Sequence, residues 1–163
     1  MNTINGSSTI VIADDDPDDR FIAQKAFEDL GFSGSLRFAR DGVELLNYMT
    51  SCATNFDHRF CTLPELILLD LNMPLKDGWE SLEEIKKLPG LQDIPVIIWT
   101  TSNDDEDRLR SIEMGASDFI TKPGSYKKLL DSFLCLIEKY GNNHKNHNGC
   151  SAPCNHEIQN NAR

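Results

Sequence analysis

No stretch of this chain approaches the roughly 20 consecutive apolar residues that a bilayer crossing needs. The opening segment, Met1 to Ser8, lacks the basic start and apolar middle of a secretory leader. Both absences point to a cytoplasmic protein without a membrane partner. Positive charge is also short: 16 Lys and Arg stand against 26 Asp and Glu, for a formal net charge of −10. Phosphate backbones select a basic face, so nucleic acid is not an expected partner. Cysteine is sparse. Cys52, Cys61, Cys135, Cys150 and Cys154 form an odd, scattered set, which argues against a disulfide framework and for a reducing compartment.

What is present is the composition of one ordinary folded domain, 39% hydrophobic and 26% charged over 163 residues. Short strand-like runs alternate with helix-like segments, the signature of a parallel sheet covered on both faces. Thr9–Ala13, Leu66–Leu69, Val96–Trp99 and Asp118–Thr121 read as strands, with a further one over Leu36–Ala39. Asp16-Pro17 opens a helix, with an acid at the N-cap and proline at the first helical position. Phe21, Ile22, Ala26, Phe27 and Leu30 are expected on one buried face of it, and Gly31 ends it. Further helices are expected over Gly42–Thr50, Trp79–Leu88 and Ser125–Tyr140, and an acidic-capped fourth one opens at Asn103-Asp104-Asp105-Glu106 and stops at Gly115. Ser51–Leu63 reads as a long polar surface loop. The division is a flexible start over residues 1–7, a doubly wound five-stranded α/β domain over 8–140, and a polar tail over 141–163 expected to be disordered.

The chemistry lies at the strand ends. Asp14, Asp15, Asp70, Thr100 and Lys122 each sit at or just past the end of a strand-like run, and in a parallel sheet all five converge at one rim. At about 4 Å and an effective dielectric near 20, two carboxylates repel by about 4 kcal/mol. A hard divalent cation relieves that repulsion, and oxygen donors with retained waters suit Mg²⁺ rather than zinc. A carboxylate can act as nucleophile and carry a phosphoryl group as an acyl phosphate. The equatorial oxygens of that group need a metal, a cation and hydrogen-bond donors, and Lys122 and Thr100 supply the last two.

Ala13-Asp14-Asp15-Asp16-Pro17, Leu68-Leu69-Asp70-Leu71-Asn72-Met73-Pro74, Asp77-Gly78, Trp99-Thr100-Thr101 and Thr121-Lys122-Pro123, in this order, resemble the receiver domain of two-component response regulators. The resemblance spans about residues 8 to 140 and implies the flavodoxin-like (βα)5 fold. It implies Asp70 as phosphoacceptor and a partner sensor histidine kinase or phosphotransfer protein as phosphodonor. Mg²⁺ would be held by Asp15 and Asp70 through carboxylates, by Asn72 through its backbone carbonyl, and by Asp14 through a bound water. Lys122 would pair first with Asp70 and then with the phosphoryl group. Thr100 and Phe119 would form the switch pair, Asn72 and Ser102 would flank the path of the hydrolytic water, and Lys122–Pro123 would be a cis peptide. Such a domain is no classical enzyme; it catalyses its own phosphorylation and dephosphorylation. The long loop before the third strand, Ala39-Arg40-Asp41-Gly42 and Thr100-Thr101-Ser102 narrow the resemblance to stand-alone regulators that accompany phytochromes. Asp16, where Asn is usual, adds charge near the metal. Gly124, where a larger apolar residue is usual, loosens the last loop.

Two other readings compete. An Asp-dependent phosphohydrolase of the haloacid dehalogenase type would use Asp14-x-Asp16, but it leaves Asp70 without a role. An adaptor or metal-binding protein would act through the tail, where His144, His147, Cys150, Cys154 and His156 offer soft ligands without a core to orient them. Only a short polar tail follows the last helix, so output is expected through protein contact, dimerisation or onward phosphotransfer. One such contact is a homodimer through the face of the fourth helix, fifth strand and fifth helix.

Overall fold

The structure is a computed structural model and describes residues 8–54 and 61–141. Among the described residues ten elements alternate: β1 Thr9–Ala13, α1 Pro17–Asp29, β2 Ser35–Ala39, α2 Gly42–Thr54, β3 Leu66–Leu69, α3 Gly78–Lys87, β4 Val96–Thr100, α4 Asp105–Glu113, β5 Asp118–Thr121 and α5 Tyr126–Tyr140. The strands form one parallel sheet in the order β2-β1-β3-β4-β5. The chain order reverses beside β1, so β1 and β3 are neighbours with a crevice beyond their carboxyl ends.

Alternation along each strand divides the interior into two cores. Val11, Ala13, Ile67, Leu69, Ile98 and Phe119 on the sheet face Leu45, Met49, Leu82 and Ile85 on the helices. Ile10, Ile12, Leu66, Leu68, Ile97 and Trp99 face the α1 and α5 side chains Ala23, Ala26, Phe27, Leu129 and Phe133. Phe27 stacks on Phe133 at 4.6 Å between centroids, and Trp99 meets Phe133 edge-on at 5.7 Å.

Helix ends follow local chemistry. The Asp16 side chain accepts the backbone N–H of Asp18 and caps α1. Asp77 and Glu80 form a reciprocal capping box on α3. Asp104 caps α4 and Ser125 caps α5. Gly78 sits where any Cβ would fall on the Asp70 carbonyl oxygen and lie 2.7 Å from Leu71 Cα, so the first residue of α3 can pack under the end of β3 only as glycine.

Four expectations are corrected. On α1, Phe21 is 61% exposed and Ile22 is 42% exposed. The stripe that faces the sheet is Ala23, Ala26, Phe27 and Leu30, at the i, i+3, i+4, i+7 spacing, which turns Phe21 to the far side. Helix α2 continues to Thr54 rather than ending at Thr50, because Cys52 extends its buried stripe of Leu45, Leu46 and Met49. That extra turn brings Cys52 to a Cα–Cα distance of 5.0 Å from Cys61, and the two are joined in a disulfide. No cis peptide bond is present among the described residues, so Lys122–Pro123 is trans, the ordinary form even before proline. The tail from 142 onward, residues 1–7 and His58 lie outside the described residues.

Candidate phosphoryl-transfer and metal site

Asp14 and Asp15 leave β1, Asp70 leaves β3, Thr100 ends β4, and Lys122 follows β5. The backbone ladder carries on past the strand ends and fixes their spacing. Asp14 N–H donates to Ala39 O at 3.0 Å, Asp70 N–H to Ala13 O at 2.9 Å, and Lys122 N–H to Thr100 O at 2.6 Å.

The acid trio converges as expected. One carboxylate oxygen from each of Asp14, Asp15 and Asp70 lies within 4.8 Å of the other two. Asp14 is fully buried and Asp70 is 5% exposed, whereas Asp15 faces solvent. Hard oxygen donors, two sheltered and one open to water, fit a divalent cation that keeps part of its hydration shell. Asn72 is exposed beside them, and its backbone N–H donates to Asp70 Oδ1 at 3.3 Å.

Lys122 is the hub. Its Nζ lies 2.6 Å from Asp14 Oδ2, 3.0 Å from Asp70 Oδ2 and 2.7 Å from Asp19 Oδ2, with its side chain 10% exposed. It also lies 4.8 Å above the Trp99 ring centroid. If the β-alternation is carried one residue past each strand, Asp14, Asp70 and Lys122 point to the α1/α5 side of the sheet, where Trp99 and the start of α1 lie. Burial opposes the Lys122 charge, but the hydrogen bonds it donates to Asp14 and Asp19 and the charges of Asp14 and Asp70 outweigh it, holding its pKa above the ordinary lysine value. Burial pushes Asp14 from 3.8 up to about 6, helped by the charge of Asp70 and opposed by Lys122 and the Asp16 backbone N–H.

Thr100 is fully buried, and its Oγ1 accepts the Ser102 N–H at 3.3 Å. Ser102 Oγ donates to Asp107 Oδ2 at 2.7 Å, and Thr121 Oγ1 donates to Ser102 O at 3.0 Å, so the loop after β4 is tied to both α4 and β5. Phe119 is 4% exposed in the core. Arg108 of α4 covers its ring at 4.8 Å and donates to its carbonyl oxygen at 3.1 Å.

Reasoning from the sequence missed two of these residues. Asp19 reads there as one more acid in a first helical turn; its only signal is its place one turn beyond Asp15. Arg108 carries no signal, because its contact with Phe119 joins separate elements.

The matching family model is the response regulator receiver domain, over residues 10–133. The chain belongs to that family. It is 34% identical over 120 residues to the probable methanogenesis regulatory protein FilR2 of Methanothrix harundinacea, a match covering 74% of this chain and 75% of that one. It is 33% identical over 125 residues to the response regulator Rcp1 of Synechocystis, covering 77% and 83%. The phosphorylated cyanobacterial phytochrome response regulator RcpA superposes with a TM-score of 0.74 at 29% identity, covering 85% of this chain and 97% of its own. The Mn²⁺-bound form of Rcp1 superposes with a TM-score of 0.70 at 30% identity, covering 87% and 99%. The receiver resemblance drawn from the motifs and its flavodoxin-like fold are borne out. The acid trio suits the divalent metal that such domains bind.

Proposed function

We infer that this chain, as a response regulator receiver, is phosphorylated on an aspartate by a histidine kinase. We propose that Asp70 is its phosphoacceptor, and the 3.0 Å contact between Lys122 Nζ and Asp70 Oδ2 is the observation that carries the reading. A carboxylate oxygen of Asp70 attacks the phosphorus of the donor, a P–O bond forms, and the bond to the donor's leaving group breaks with its electron pair. A divalent cation held by Asp14, Asp15, Asp70 and the Asn72 carbonyl would draw charge from the phosphoryl oxygens; Mg²⁺ is the ion we assign. Lys122 offers its ammonium to one of those oxygens. The Thr100 oxygen accepts from Ser102, which leaves its hydroxyl proton to donate to another.

The switch follows from the same contacts. A phosphoryl oxygen that draws Thr100 toward Asp70 pulls on the loop bonded to α4 through Ser102 and Asp107. It also disturbs Phe119, which Arg108 ties to α4. Leu109 and Ile112 are exposed on α4 at 65% and 46%, and Leu134 on α5 at 43%. These apolar side chains support homodimerisation through α4, β5 and α5 as the output. The phosphodonor is a sensor histidine kinase of phytochrome type in the cytoplasm, or a phosphotransfer protein; the similarity to Rcp1 and RcpA supports the phytochrome assignment.

Replacing Asp70 by Asn separates this reading from the phosphohydrolase one. With Mg²⁺ and acetyl phosphate, wild type should form a labile phosphoryl adduct and Asp70→Asn none. An adduct of unchanged yield in the variant would hand the nucleophile's role to Asp14.

A further inference from the structure

Asp19 has no part in the chemistry described so far, yet its carboxylate is as close to Lys122 as that of Asp14. A lysine ammonium has three N–H donors and no acceptor. Here Asp14, Asp70 and Asp19 take one each. The three acceptors are not equivalent. Asp14 and Asp70 belong to the convergent trio that suits a divalent cation, whereas Asp19 stands outside it. Asp19 reaches the lysine from the first turn of α1 and is partly open to water, its side chain 31% exposed.

The difference matters once a cation shares the site. Two of the lysine's partners then divide their charge with a dication, and the ammonium faces that dication across a small, sheltered space. Like charges at such range repel strongly unless a dedicated counter-ion remains. We propose that Asp19 is a positioning residue that keeps the Lys122 ammonium in the site, aimed at the phosphoryl oxygens, while metal occupies the acid trio. The proposal rests on Asp70 as the phosphoacceptor. It assigns Asp19 no contact with the reacting atoms; it acts through Lys122 alone. Partial exposure screens the interaction, so the effect is moderate rather than absolute.

Asp18 provides the control. It lies in the same first helical turn and carries the same charge, but it is exposed and makes no ion pair with Lys122 among the described residues. At saturating Mg²⁺ and with acetyl phosphate as donor, Asp19→Asn should slow adduct formation about tenfold, the scale of one charge-assisted hydrogen bond. Asp18→Asn should match wild type, and Asp19→Glu should recover part of the rate. The second readout is spectroscopic and needs no phosphoryl transfer. In a Trp79→Phe background, Mg²⁺ should change Trp99 emission more strongly in Asp19→Asn than with Asp19 intact, because the released ammonium leaves the ring that it covers at 4.8 Å. Equal rates for Asp19→Asn and wild type, a common fall in both Asn variants, or identical Mg²⁺ responses of Trp99 would each overturn the proposal. Failure of wild type to form any adduct would instead remove the phosphoacceptor reading, and this one with it.

Discussion

At the residue scale the site is a buried negative cluster kept together by one cation. Asp14 is its least comfortable member, fully buried and pushed up to about 6 by desolvation. Its folded pKa lies above its ordinary value of 3.8, so the folded chain holds this proton more tightly than the unfolded chain does. The contribution of Asp14 to stability is therefore complete below the lower value and is lost as pH rises through the upper one. Asp14→Asn should stabilise the metal-free protein by about 1–2 kcal/mol at about pH 8, and by almost nothing at about pH 4. Thermal unfolding in chelator at the two pH values checks this; a gain of equal size at both would contradict the assignment of strain to the Asp14 charge. The same residues show how far sequence reasoning reaches. Asp14, Asp15, Asp70 and Lys122 were legible because each ends a strand, and a parallel sheet has one rim for all of them. Asp19 was not, because a first-turn acid is ordinary helix chemistry until the fold swings Lys122 over it.

At the scale of elements, the loops that place the rim are held by steric fits as much as by hydrogen bonds. Gly78 is the clearest case, since a Cβ there would collide with the end of β3. Gly78→Ala should cost about 1–3 kcal/mol through forced backbone movement, and should also weaken phosphorylation because the displaced atoms belong to Asp70 and Leu71. Chemical denaturation beside an adduct assay tests both; a loss below the resolution of the denaturation curve would contradict the packing argument. Element boundaries were readable where a cap marked them, as with Asp16-Pro17 before α1 and the acidic run at Asp104 before α4. The overlong α2 and its Cys52–Cys61 bond were not, because the added turn is decided by burial against the sheet. The rotated face of α1 has a similar cause. Phe21 and Ile22 are apolar, but the phase of the helix is set by Ala23, Ala26 and Phe27, and small residues carry little weight in a hydrophobicity pattern.

At the scale of the molecule, the fold was visible in the alternation of strands and helices, and the strand order supplies the crevice in which the chemistry gathers. Crowded acids tax the metal-free fold, and a cation bound only by the folded chain repays this through linkage. At a hundredfold excess over its dissociation constant, Mg²⁺ should add about 2.7 kcal/mol to stability. Asp15→Asn should remove most of that gain while leaving the metal-free unfolding temperature close to wild type, since Asp15 is exposed. Calorimetry with and without chelator reads both quantities, and an undiminished Mg²⁺ response in the variant would exclude Asp15 as a ligand. The face proposed for dimerisation belongs to this scale as well: Leu109, Ile112 and Leu134 are already exposed, so under that proposal phosphorylation alters how they are presented rather than uncovering them.

The central claim is that this assembly captures phosphorus at one carboxylate. Borohydride reduction tests it most directly, because the reagent converts an aspartyl phosphate to homoserine and leaves free aspartate unchanged. After treatment with Mg²⁺ and acetyl phosphate, peptide mass spectrometry should find homoserine at position 70 and at no other aspartate. Homoserine at position 14 or 15 instead, or none anywhere after a full phosphodonor treatment, would contradict the account.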